Sequence, residues 1–224
     1  MLGQSVLEVG YGQGANRNYY PNNIDLIGLD PDISKLNLNE EQLFYKEHNS
    51  KFALIKGVCE SLPFKDNTFD TILTTLVFCT VTDPVKSLQE IQRVLKPGGK
   101  YISVEHIIAD TEVTSSVSPT TTTTSTSYLP KSNILSFQQQ ALDPLQVVLA
   151  DGCHLNRHTD KLFLASITPT YKSSTTNTDI GRGKNENKGL FNKLLFIKYA
   201  DYDSQWPISR QVFTVLEKSY VFLY

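Results

Sequence analysis

Apolar residues fall in short runs along the first half of the chain, and their spacing alternates between strand and helix periods. Ser5–Val9 is one such run and predicts a buried strand that closes on glycines at 10, 12 and 14. Residues 25–29, 52–56, 71–77 and 100–105 predict further strands, with 71–77 rich in β-branched side chains. Helical segments lie between them. Residues 15–20 are placed to open a helix after the glycines, and Ile33, Leu36, Leu43 and Phe44 mark a helix over 33–46. Asp83 and Pro84 form a helix start, and Val85, Leu88, Ile91 and Leu95 make one apolar face up to the stop at Pro97-Gly98-Gly99. This alternation predicts an α/β domain: a Rossmann-like sheet, mostly parallel, with helices on both faces. Ligands of such sheets lie beyond the carboxyl ends of the strands, where strand order reverses, so the strand-ending residues carry the functional information.

The second half is less regular. Residues 111–127 are almost entirely Ser and Thr, with five threonines in a row from Thr120. They offer too few apolar groups to offset chain entropy, and the stretch 111–132 is expected to be an inserted loop. Residues 133–149 return to the helix period. Residues 173–189 form a second polar stretch containing Gly181, Gly183 and Gly189, again expected as a loop. Strands are predicted over 194–199 and 212–216, with 219–223 a weaker candidate.

A chain of 224 residues accommodates one domain with a sizeable core, and 1–224 is read as one domain. The net charge of −2 and the lack of Lys/Arg blocks argue against nucleic acid as a partner. Cys59, Cys79 and Cys153 are odd in number and scattered, without metal-ligand spacing, so neither a disulfide framework nor a metal is expected. A reducing compartment follows. Near the start there is no charged segment followed by an apolar one, and no apolar run approaches the ~20 residues of a membrane-spanning helix.

Chemistry concentrates in VLEVGYGQGAN, residues 6–16. Glycines admit positive φ and let a ligand approach the backbone. A dinucleotide site uses G-x-G-x-x-G. Here the spacing is G-x-G-x-G and position 15 is alanine, which suits S-adenosylmethionine, a ligand without a pyrophosphate. An acid ending the second strand, Asp30, suits ribose hydroxyls in either class, so the turn alone leaves both open.

The remainder of the chain separates them. LPFKDNTFDTILTTLVF, followed by a helix and EIQRVLKPGGKYISVEH, resembles the class I S-adenosylmethionine-dependent methyltransferases of the type 11 domain. A narrower resemblance follows in FQQQALDPLQVVLADGCHLNR, where Gln139-Gln140, Leu142-Asp143-Pro144, Asp151-Gly152-Cys153, Leu155 and Arg157 match the microsomal thiol S-methyltransferase branch of the methyltransferase-like proteins. Members of that branch carry an apolar anchor and helices ahead of the first strand. This chain begins four residues before that strand, so both are expected to be missing. The location implied is cytoplasmic for the chain as given, or the endoplasmic reticulum or lipid-droplet membrane if an anchor has been lost.

The resemblance implies S-adenosyl-L-methionine as cofactor and assigns roles. Glu8 helps hold the methionine ammonium, Gly10, Gly12 and Gly14 pass close to the cofactor, and Asp30 accepts hydrogen bonds from the ribose diol. Cys59 and Glu60 border the adenine through backbone groups, although Glu60 is equally suited to capping. Thr75 and Leu76 flank the methionine portion. His106, ending the fifth strand, either receives a proton from the acceptor or bonds to a loop. Cys79 and Cys153 are read as core residues. Asp143 and Arg157 either shape a substrate cap or pair with each other, and Leu76, Phe78 and the helix over 137–149 are expected to line an apolar acceptor pocket. The implied partner is a small-molecule methyl acceptor. A thiol fits best, since a pKa of about 8.5 leaves a few per cent thiolate at neutral pH. An O- or C-methyltransferase of a quinone-like substrate, a non-catalytic cofactor-binding scaffold and, weakest, a nicotinamide oxidoreductase remain as alternatives.

Overall fold

The computed structural model describes residues 5–109, 113–115, 127–129, 132–150, 152–167, 189–201 and 210–218. Strands β1 (Ser5–Val9), β2 (Asp25–Asp30), β3 (Lys51–Lys56), β4 (Phe69–Thr75), β5 (Leu95–His106), β8 (Lys193–Asp201) and β9 (Arg210–Glu217) form one seven-stranded sheet in the order β3-β2-β1-β4-β5-β9-β8. The first five run parallel. β9 inserts antiparallel between β5 and β8. The chain leaves β1 towards β2 and β3, then returns to place β4 on the other side of β1. That reversal is the switch point.

Both faces of the sheet are covered, as period-two burial shows. Val6 packs with Leu26, Ile24, Tyr11 and Tyr45, and Tyr45 belongs to α1 (Leu38–Glu47). Its neighbour Leu7 points the other way, into a larger core with Ile72, Phe78, Tyr101 and the Leu88, Ile91 and Val94 face of α2 (Pro84–Val94). Phe163 of α4 (Thr159–Ala165), a helix the periodicity does not signal, joins this core against Phe78 with ring centroids 5.1 Å apart. The helix predicted over 133–149 is present as α3 (Asn133–Leu149), capped by Ser132.

Local chemistry explains where the elements depart from expectation. The helix expected over 15–20 is a single 3-10 turn, Arg17–Tyr19, because Pro21 pushes Tyr20 into extended backbone. The helix expected over 33–46 breaks in two: a 3-10 turn, Ile33–Lys35, precedes α1. Asn37 supplies the break, accepting the Glu40 N–H as an N-cap. Strand β4 stops at Thr75 rather than at residue 77 because Leu76 adopts φ +57. Part of the Ser/Thr-rich stretch pairs as a short antiparallel hairpin, β6 (Val113–Ser115) with β7 (Ser127–Leu129). Its remainder, most of 173–189 and the strand candidate over 219–223 lie outside the described residues. Among the described residues no helix is long and apolar enough to cross a membrane.

Candidate functional site

A cavity of about 580 Å³ opens beyond the carboxyl ends of β1 to β4, at the switch point. Gly10 and Gly12 form one wall, Asp30 a second, Cys59 and Glu60 a third, and Thr75 and Leu76 a fourth. Those strand-end residues converge as the topology requires. Glu8, Gly14 and His106 do not line it.

The glycine turn is built by two constraints. Gly10 has φ +74, and its N–H donates to the Leu29 carbonyl at 2.7 Å. A Cβ there would collide with the Val77 side chain. Gly12 has φ +56, and a Cβ there would meet nothing within 4 Å, so its bare backbone faces open space. Its N–H donates to Asp30 Oδ2 at 2.8 Å, while Asp30 Oδ1 accepts the Asp32 N–H at 2.9 Å. Asp30 thereby ties the ends of β1 and β2 together. A carboxylate has about four lone-pair sites, so two backbone donors leave capacity for a diol. Gly14 stands behind the turn, its N–H donating to the Tyr11 carbonyl at 3.0 Å.

Glu8 is buried behind this wall. Asn16 Nδ2 donates to its Oε1 and the Tyr20 hydroxyl to its Oε2, both at 2.7 Å. Asn16 also reaches Thr75 Oγ1 at 3.1 Å, linking the buried acid to the cavity wall. Burial, only partly offset by these two donors, pushes the Glu8 carboxyl up to about 7. Among the described residues no cation pairs with it; the nearby Arg17 is engaged by Glu40 and Glu41. Sequence reasoning missed Asn16 and Tyr20, whose only signal is a polar NRNYY run directly after the glycines.

Across the cavity, Glu60 does serve as a cap. Its Oε1 accepts the Thr82 N–H at 2.7 Å and the Asp83 N–H at 3.3 Å, holding the lead into α2. Cys59 is buried, and its thiol is pushed up to about 12 by that burial, an inert group. Leu76 keeps its left-handed backbone because both sides of the turn are held. Its N–H donates to the Val104 carbonyl at 2.8 Å, and the Phe78 N–H donates to buried Glu105 Oε2 at 2.9 Å.

Glu105 Oε1 also accepts from Thr74 Oγ1 at 3.0 Å, yet complete burial still pushes this carboxyl up to about 8. Glu8 and Glu105 therefore bind protons in the folded state that the unfolded chain has already lost. Their contribution to stability is complete below about pH 4.5 and is lost as pH rises through about 7 and about 8. We expect the melting temperature to fall between about pH 5.5 and pH 8.5, and Glu105→Gln to remove much of that slope. A flat melting profile of the parent protein over that interval would contradict both assignments.

α3 and the segment after it brace the fold. Gln139 accepts the Ala109 N–H at 2.8 Å and donates to the Ile107 carbonyl at 3.2 Å, pinning α3 to the chain leaving β5. Asp143 and Arg157 do not pair. Asp143 accepts the Leu155 N–H at 2.6 Å and meets His154 Nδ1 at 3.1 Å. Arg157 Nη1 donates to the carbonyls of Phe78 and Val81, each at 2.7 Å. Phe78 is fully buried in the core, whereas Phe137, Leu145, Val148 and Leu149 of α3 are exposed. Among the described residues, Leu76 alone of Leu76, Phe78 and this helix lines the cavity, so they do not come together there as the expected acceptor pocket.

This packing brings Cys153, expected as a core residue with no metal, beside Cys79 and His106. Cys79 Sγ, Cys153 Sγ and a His106 ring nitrogen all lie within 4.8 Å of one another, and all three residues are buried. Cys153 Sγ is 3.6 Å from His106 Nδ1. The nearby Cys79 thiol, reinforced by His106, lowers Cys153, and the same proximity together with burial raises Cys79, whose Sγ donates to the Leu76 carbonyl at 3.3 Å. Only Cys59 of the three cysteines stands apart.

S-adenosyl-L-methionine is the cofactor this fold implies, and the cavity fits it. The bare Gly12 backbone admits a close approach, Asp30 matches a diol, and buried Glu8 lacks the cation that an amino-acid ammonium would supply. Apolar Val58, Leu76 and Val81 offer a face for a base.

Comparison with known proteins agrees. A family model described as a methyltransferase domain matches residues 7–103. The chain is 30% identical over 158 residues to thiol S-methyltransferase TMT1B of Rattus norvegicus, covering 70% of this chain and 57% of that protein. It is 34% identical over 104 residues to demethylmenaquinone methyltransferase of Renibacterium salmoninarum, covering 46% of this chain and 41% of that protein. It thus spans little more than half the length of the thiol S-methyltransferase it matches. An S-adenosylmethionine-dependent methyltransferase structure from Methanosarcina mazei superposes with a TM-score of 0.58 at 12% identity, covering 99% of this chain and 95% of that one, which shows the shared fold. Sheet order, glycine turn and strand-end acid are those of the class I S-adenosylmethionine-dependent methyltransferase fold, and residues 7–103 match the methyltransferase domain family.

Proposed function

We propose that this domain transfers a methyl group from S-adenosyl-L-methionine to a small thiol. The observation that carries the acceptor class is the 158-residue similarity to a thiol S-methyltransferase, which is longer than the 7–103 methyltransferase core. When bound, S-adenosylmethionine supplies a methyl group already activated on a sulfonium sulfur. The chain's own residues then have to hold, orient and exclude water. Asp30 holds the ribose diol, Gly10 and Gly12 admit the close approach, and Gly14 braces the turn. Cys59 and Glu60 border the adenine, and Thr75 and Leu76 flank the methionine part. Glu8 acts from behind the wall as counter-charge to the ammonium, through Asn16. A thiol needs little help with its proton, because a pKa of about 8.5 keeps some thiolate present at neutral pH. We assign His106 no proton transfer, since it is turned to Cys153 and lies off the cavity wall.

Similarity to a demethylmenaquinone methyltransferase supports a second reading, C-methylation of a quinone-like ring, but over a shorter stretch. The test is incubation with labelled S-adenosylmethionine and a panel of hydrophobic thiols, phenols and reduced quinones. Thiols are expected to be labelled at least about tenfold faster than the others. Labelling of the quinones instead would establish the second reading. S-adenosylhomocysteine binding with no labelled product would leave a non-catalytic scaffold, and tight NADH binding in its place would overturn the cofactor.

A further inference from the structure

We propose that Cys79, His106 and Cys153 form a binding site for one zinc ion, separate from the cofactor cavity. The three ligands come from distant places in the chain: the turn after β4, the end of β5 and the loop after α3. Their ligand atoms lie within 4.8 Å of one another in a region from which solvent is nearly excluded. None of the three lines the cofactor cavity.

The geometry suits zinc. With Zn–S near 2.3 Å and Zn–N near 2.0–2.1 Å, the sulfur-to-nitrogen edge of a tetrahedral site is about 3.5–3.6 Å. The Cys153 Sγ to His106 Nδ1 separation of 3.6 Å matches that edge, and all three ligand atoms lie within 4.8 Å of one another. Two thiolates and one imidazole form a soft donor set that favours zinc over magnesium or calcium. They occupy three of four tetrahedral positions, and water takes the fourth. The site also has the rigidity such binding needs. Arg157 ties the loop after α3 to the Phe78 and Val81 carbonyls beside Cys79, and the His154 N–H donates to the Cys79 carbonyl at 2.8 Å. Two segments that bear the sulfurs are thus already fastened together. As each thiol binds the ion it releases its proton to solvent, and no oxidant or reductant is involved.

The experiment uses the whole chain, reduced and stripped with a chelator, then titrated with zinc against a chromophoric competitor and, separately, with Co²⁺. One zinc per chain is expected, with a melting temperature that rises on zinc but not on Mg²⁺. The Co²⁺ form is expected to show thiolate-to-metal charge-transfer absorption. Cys79→Ser and Cys153→Ser should each weaken zinc binding by about 100-fold and abolish the charge-transfer band, and His106→Asn should weaken binding by about 10-fold or more. Cys59→Ser should leave zinc binding as it is. Should a cysteine variant fail to fold, the parent protein's stoichiometry and Co²⁺ spectrum decide alone. The proposal is overturned if the reduced parent takes up no zinc, if its Co²⁺ form lacks the band, or if folded Cys79→Ser and Cys153→Ser bind as the parent does. Isolation of a Cys79–Cys153 disulfide whose reduced form takes no zinc would likewise replace it with a redox pair.

Discussion

Gly10→Ala is expected to lower the melting temperature by about 5–15 °C and to abolish measurable S-adenosylhomocysteine binding. Two separate costs add. A side chain at φ +74 costs about 1–2 kcal/mol. The new methyl also overlaps Val77, and overpacking of this kind costs about 1–3 kcal/mol. The second cost can be isolated. In the Gly10→Ala/Val77→Ala double variant the overlap is relieved while the backbone cost stays, so the double variant should be less destabilised than the sum of the singles by about 1 kcal/mol or more. Binding loss follows from position, since Gly10 and Val77 both stand on the cavity wall. Thermal scans and calorimetric titration of the three variants provide the check. Parent-like melting and affinity in Gly10→Ala would dismantle the account of the turn.

Asp30→Ala should weaken S-adenosylhomocysteine by about 100-fold or more, because charge-assisted hydrogen bonds are worth about 1.5–3 kcal/mol each. Part of that loss is indirect. Without the carboxylate the Gly12 and Asp32 N–H groups lose their acceptor, and the turn loses its tie to β2. Asp30→Asn separates the two contributions. An amide oxygen still accepts from one backbone donor, but it lacks the charge and the second acceptor, so about a tenfold loss is expected. Affinity unchanged in Asp30→Ala would remove the ribose assignment.

Much of this was readable from the chain alone because it rests on local rules. Strand runs, the Asp83-Pro84 helix start and the glycine spacing are short-range signals, and the strand-ending residues could be named once the α/β alternation was seen. The errors came where a single residue outweighs a pattern. Asn37 captured a backbone donor and cut a helix in two. Pro21 reduced another to one turn. Leu76 bent out of a strand that its β-branched neighbours would have extended, and the Val104 carbonyl with a buried acid 29 positions later explains why that bend is tolerated. Within the site, Glu8 was legible as a strand-end acid, whereas its partners Asn16 and Tyr20 were not, because a polar run after a turn has no distinctive period. The cysteine–histidine cluster was invisible for another reason. Its members are 27 and 47 residues apart along the chain, and only the packing of α3's following loop against β4 and β5 unites them.

The antiparallel β9 has a bearing on how the molecule is made. It lies between β5 and β8, so a nascent chain halted anywhere before Arg210 presents the long β5 with a full row of unmet backbone donors and acceptors. The cofactor cavity is complete in sequence by Thr82, yet the half-sheet that buttresses it waits for β9. Ribosome-bound intermediates of this protein would carry a finished ligand crevice on an open, self-adhesive flank, a stage at which chaperone shielding of β5 has the most to prevent.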